Sequence, residues 1–148
     1  MPAIQTTYAN NMAAALAGMV ANLELANIVS RNVTVAAMGC GVVAVHGGDD
    51  GAIRAPDASN TKFLGITARD RAKDSASADA YRVGDTANVL TQGVVYVVAG
   101  EAVARGDAAF FVPASGAVVK TATDNIAIPR ATFDASAASG ALVPLRIG

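Results

Sequence analysis

The stretch from Phe63 to Val98 opens FLGITARDR (63–71), crosses a polar segment, and closes YRVGDTANVLTQGVVYVV (81–98). Short β-prone runs at Phe63 to Ala68, Thr86 to Leu90 and Val94 to Val98 alternate with turn residues at Asp70, Gly84-Asp85 and Gln92-Gly93. Such spacing predicts an all-β sandwich or barrel. No residue of the stretch belongs to a recognisable catalytic set, which turns the reading toward binding or structural work.

Working outward, the other runs are of the same kind. Asn27 to Val35 alternates loosely, Gly41 to Val45 is a compact apolar strand, and His46 to Gly51 is a loop or wide turn. Ile53 begins a short element, Pro56 to Asn60 is a loop, and Arg69 to Ala80 is an exposed, mobile loop. Thr91-Gln92 joins the runs on either side as a hairpin, with Gly93 near the turn. Ala108 to Val112 and Ala117 to Thr121 form a second hairpin through Pro113-Ala114-Ser115-Gly116. Ile126 to Phe133 is irregular around Pro129, and Val143 to Ile147 is a closing strand. The expected fold is mainly β: a compact antiparallel sandwich or barrel, jelly-roll-like, with an N-terminal arm or helix.

Residues 1–27 are set apart as that arm or helix, and 28–148 as the β domain. Glu24 is the only charged side chain before Arg31. Ile4, Tyr8, Met12, Leu16, Met19 and Leu23 recur at helical spacing, with Gly18 inside the pattern. Two readings stand: an amphipathic helix packed on its own domain, or an arm ordered against a neighbouring subunit. Either makes these six residues candidate contacts with a partner surface or a neighbouring subunit.

Composition bounds the function. The 148 residues suit one domain with a good core, but there is no tryptophan, and Val, Ile and Ala supply the apolar bulk. A core of small side chains gains when apolar surface is buried against other copies. The formal net charge is -1, and the densest basic group, Arg69, Arg71 and Lys73, is interrupted by Asp70. The electrostatic footprint of a nucleic-acid binder is absent. Met12 to Leu23 is too short to span a bilayer, and no secretory pattern is visible. The one cysteine, Cys40, excludes an intrachain disulfide, reads as a small buried or half-buried thiol, and fits folding in a reducing compartment.

Chemistry finds little to work with. One histidine, His46, and one cysteine cannot complete a His/Cys metal site. Asp49-Asp50 lacks the alternating ligands of a calcium loop and reads as a polar turn. No Gly-x-Ser-x-Gly is present, and Gly39-Cys40-Gly41 leads into a strand where a dinucleotide site needs a helix. No catalytic residue, metal or cofactor is expected.

One resemblance runs through the chain. Phe63-Leu64-Gly65-Ile66-Thr67 with Arg69-Asp70-Arg71, Tyr81-Arg82-Val83-Gly84-Asp85 and Val89-Leu90-Thr91-Gln92-Gly93 carry it. Gly106-Asp107-Ala108-Ala109-Phe110-Phe111-Val112, Ile128-Pro129 to Phe133 and Leu145-Arg146-Ile147-Gly148 extend it, and Asn27 to Arg31 marks the junction of arm and body. In this order they resemble the small structural cement, or capsid-decoration, proteins of tailed bacteriophages. The resemblance implies a β-rich homo-oligomer on the outer capsid surface, with no enzyme activity. Its partners would be the major capsid protein, bound where subunits of the expanded head meet, and itself, as a homotrimer or else a homodimer. Neither nucleic acid nor membrane is an expected partner. The rival reading is a carbohydrate-binding β module of a virion or cell surface, which requires exposed aromatic side chains.

Overall fold

The computed structural model describes residues 15–71 and 79–148. Among them there are eleven strands and no α-helix. β1 (Asn27–Val33), β3 (Val43–His46), β4 (Ala52–Arg54), β5 (Phe63–Thr67) and β7 (Thr86–Val98) hydrogen-bond in the order β1-β4-β3-β5-β7. β7 also pairs with β1, so these five strands close into a barrel. All the pairings are antiparallel except β1 with β4.

A five-stranded barrel has a narrow interior, and that explains the small side chains. Val33, Ala44, Ile53, Ala87 and Val89 fill it from four barrel strands. Met38 and Tyr81 join the cluster from a short ribbon, β2 (Met38–Gly39) paired with β6 (Ala80–Tyr81), and Cys40 follows β2 into it. Gly65 sits where no side chain fits: a Cβ there would lie 2.3 Å from Leu90 O and 2.7 Å from a Val89 methyl. The poverty of large side chains thus has a cause inside the molecule, whereas the sequence reading tied it to burial against other copies.

The second layer is built on the far half of β7. Up to Gln92 the strand belongs to the barrel, with Asn88 opposite Ser30 and Leu90 opposite Ile66. From Gly93 onward it pairs with β11 (Leu142–Ile147), Gly93 opposite Ile147 and Val97 opposite Val143. β10 (Ile126–Phe133), β8 (Ala108–Phe111) and β9 (Val118–Val119) continue this sheet. Val43, Val45, Ile66 and Leu90 on the barrel wall pack with Val95, Phe111, Phe133, Val143 and Leu145 in the larger core. β3 is therefore buried on both faces, and its run is continuously apolar for that reason.

The mainly β fold stands, and two details differ from the sequence reading. The hairpin expected at Thr91-Gln92 is one 13-residue strand. Gln92 is paired with Asn27, the Thr91 hydroxyl donates to Asn27 O at 3.1 Å, and Gly93 redirects the strand without reversing it. Helical spacing does not produce helix over 15–26, where β7 offers free strand-edge groups instead. Most of the loop expected at Arg69 to Ala80 lies outside the described residues. The hairpin at Pro113 to Gly116 and the irregularity at Pro129 are as expected: β8 pairs with β9, and β10 loses register between Ala127 and Thr132, where Arg130 has φ +53°.

Candidate functional site

The segment entering the fold is fastened at several points. Arg69 Nε donates to Ala17 O at 3.3 Å, and Arg69 N donates to Gly18 O at 2.7 Å. Gly18 (φ +82°) lies directly against Gly41 (φ +71°); a Cβ on Gly41 would be 2.6 Å from Gly18 N. The chain then runs antiparallel to β7, with Gly18 N donating to Tyr96 O, Tyr96 N to Met19 O and Ala21 N to Val94 O, all within 2.8–2.9 Å. Val20 is opposite Val95. Further on, Glu24 pairs with Arg146, whose Nη2 is 2.8 Å from Glu24 Oε1 and 3.3 Å from Asp134 Oδ2. These carboxylates, Glu24 foremost, raise the Arg146 pKa above its ordinary value. Leu25 and Ala26 finally pass over Gly93, where a Cβ would meet Ala26 Cα at 3.2 Å.

So residues 18–21 act as an edge strand beside β7, with side chains alternating in and out. Val20 is its exposed apolar residue, and Leu16 before it, Leu23 and Leu25 after it and Ile28 at the start of β1 are exposed as well, Leu23 completely. Five large apolar side chains are thus exposed within residues 16–28, with Asn22, Glu24 and Asn27 exposed among them.

Of the sequence-predicted contacts, Leu16 and Leu23 are among these five, Met19 is half-buried, and Ile4, Tyr8 and Met12 lie outside the described residues. Sequence reasoning missed Val20, Leu25 and Ile28. Leu23 was already in the helical pattern; a step of two from it would have added Leu25. A second exposed pair, Val35 and Val83, sits where Gly84 N donates to Val33 O. Val35 has φ +73°, a conformation a β-branched residue rarely adopts.

The groups able to do chemistry are committed to structure. Thr67 is fully buried, and its hydroxyl accepts from Val42 N at 3.1 Å and donates to Gly39 O at 2.8 Å. The Tyr81 hydroxyl donates to Ala68 O at 2.6 Å, and burial pushes its pKa up. Glu101 accepts from the backbone of Thr121 and Lys120 at 2.7 Å each and from the Thr121 hydroxyl at 3.0 Å. Those bonds, Thr121's backbone first, hold its carboxyl below the usual range. Cys40 is buried and lines an apolar cavity of about 360 Å³ with Ala17, Val42, Pro56 and Val118; no Asp, Glu or His lines it. Among the described residues no group of His, Cys, Asp and Glu could hold a metal ion.

The comparisons agree with this picture. Residues 4–148 match the phage structural cement protein family, described by E217 gp24 and Pam3 gp6. A chain in the capsid of Myoviridae phage XM1 has the same fold at a TM-score of 0.77, with 19% identity over 99% of this chain and 98% of that one. The head fiber gp8.5 N base of bacteriophage phi29 is a weaker likeness, at 0.49 and 18% identity over 84% and 95% of the two chains. Among curated proteins none matches the sequence. The family match spans nearly the whole chain, so the protein with this barrel and this apolar edge belongs to the phage structural cement proteins, non-catalytic parts of the virion that bind the capsid shell.

Proposed function

We propose that the chain attaches to the major capsid protein on the outside of the expanded head, through its N-terminal segment. It does so as a homo-oligomer, a trimer ahead of a dimer, where capsid subunits meet. Residues 1–27 are the attaching arm, with Ile4, Tyr8, Met12, Leu16, Met19 and Leu23 as its contacts, and 28–148 are the body. The supporting observation is the set of exposed apolar side chains Leu16, Val20, Leu23, Leu25 and Ile28, gathered in and around the edge strand at 18–21. Edges of this kind are blunted in natural proteins unless another chain covers them. The carbohydrate-binding alternative lacks its stacking platforms, since no aromatic side chain among the described residues is exposed.

The test is co-sedimentation with empty expanded heads. Leu23→Ser with Leu25→Ser removes apolar surface that the isolated chain leaves in water, so folding should be unchanged. Attachment should fall at least about tenfold, the equivalent of burying roughly one such side chain. Equal attachment by the folded variant overturns the assignment. Sedimentation velocity at micromolar concentration tests the oligomer, and a monomer there and on the particle overturns that part.

A further inference from the structure

A second site stands apart from the apolar edge, at the other end of β3 and β4. A cavity of about 590 Å³ opens there between His46, Arg54 and the segment Ser59 to Lys62. Three of its lining residues are basic in type, three carry hydroxyl or amide groups, and none is acidic. In a chain of net charge -1 this is a local concentration of donors.

The cavity wall is built before any ligand arrives. Asp57 Oδ1 accepts from Ser59 N at 2.9 Å, Ser59 Oγ at 2.6 Å and Asn60 N at 2.9 Å. That carboxyl is held below its ordinary pKa, by the Ser59 hydroxyl first. Asn60 Nδ2 donates to His46 O at 2.7 Å, and His46 N donates to Lys62 O at 3.0 Å. The loop and β3 are thereby locked to one another. Asp57 engages one guanidinium nitrogen of Arg54. Arg54 Nε is buried and has no hydrogen-bond partner. An unpaired donor on a charged group is costly, and a nearby negative charge offsets that cost.

We propose that this cavity is an oxyanion-binding site, taking a carboxylate or phosphate group against Arg54 and Lys62. The second amide proton of Asn60 and the Thr61 hydroxyl would supply further hydrogen bonds, while the Ser59 hydroxyl is spent on Asp57. The ligand could be an acidic side chain of a partner polypeptide or free phosphate; both present the same planar or tetrahedral oxygens to the same donors. The assignment is independent of shell attachment through Leu23 and Leu25, and its failure would leave that reading untouched.

The test is an NMR titration of the isotopically labelled full chain at constant ionic strength. Inorganic phosphate, acetate and a short all-glutamate peptide are compared with chloride. Saturable shifts at His46, Arg54 and Asn60 to Lys62 are expected with at least one oxyanion. Tighter binding of the peptide than of phosphate assigns the site to a protein carboxylate, and the reverse assigns it to phosphate. Lys62→Gln, an exposed change that leaves the fold intact, should weaken binding about tenfold, the worth of one charge-assisted hydrogen bond. Shifts that never saturate, that spread over all basic surface residues, or that survive Lys62→Gln unchanged overturn the proposal.

Discussion

Single residues carry much of the strain in this molecule, and Val35 is the clearest case. Its side chain is 68% exposed and its φ is +73°. Left-handed backbone costs an L-residue roughly 1–2 kcal/mol, and asparagine tolerates it best after glycine. Val35→Asn should therefore stabilise the isolated chain by about 1 kcal/mol and raise Tm by about 2–4 °C in calorimetry, as a domain of this size allows. An unchanged or lower Tm would show that the valine packs usefully after all. Gly65 is the opposite case, required by space. Its missing Cβ leaves the backbone of Leu90 and a methyl of Val89 in place, so Gly65→Ala should cost about 3 kcal/mol, read as a lower urea midpoint at constant m-value. Neither property was legible in the sequence. Gly65 looked like one more residue of a β-prone run, because only the pairing of β5 with β7 brings Leu90 and Val89 against it. Cys40, by contrast, was read as a buried or half-buried thiol and is buried, since a small apolar residue before an apolar run has few other places to go.

At the scale of elements, the strands were legible where each buries one face or two, and the connections were not. β3, β5, β8 and β11 fall close to where alternation or apolar runs put them. β7 was cut in two because Thr91, Gln92 and Gly93 read as turn chemistry, yet the partner strand β1 consumes the polar groups of the first two. The edge strand at 18–21 was missed for a related reason: a lone segment that pairs with one neighbour shows no two-sided burial, and its outward residues fall by accident at helical spacing. Elements are also held by carboxylates whose effect depends on pH. Glu101 ties β9's end to the loop after β7, and its folded pKa lies below the ordinary 4.5. A lowered carboxyl pKa adds stability that is fully present above the unfolded value and is lost as pH falls through the folded one. Urea midpoints should thus be flat near neutrality and decline below about pH 4.5, less steeply in Glu101→Gln than in the parent. Equal slopes in the two proteins would show that other carboxylates dominate.

The whole molecule joins a rigid two-layer body to an entry segment that the body holds in place. Gly18 against Gly41, Arg69 at Ala17 and Glu24 with Arg146 fix that segment at both ends, so its exposed apolar side chains are presented on a firm support. Preorganisation of this kind lowers the entropy lost on attachment. If protomers associate and each reaches a separate capsid subunit, weak individual contacts combine, with avidity up to about 10²–10⁴ over one contact. Anything that binds one state of a shell and not another stabilises it by mass action, about 2.7 kcal/mol per site at a hundred times Kd. Adding the protein to empty expanded heads should therefore raise their thermal transition with concentration until sites are filled, while unexpanded heads should show no change. Leu23→Ser with Leu25→Ser should need at least about tenfold more protein for the same shift, since each lost apolar contact weakens every link in the set. A transition that rises equally for the variant would move the attachment surface elsewhere on the body. A rise of the same size on unexpanded heads would show that the protein does not distinguish the two lattices, and stabilisation by state selection would then fail.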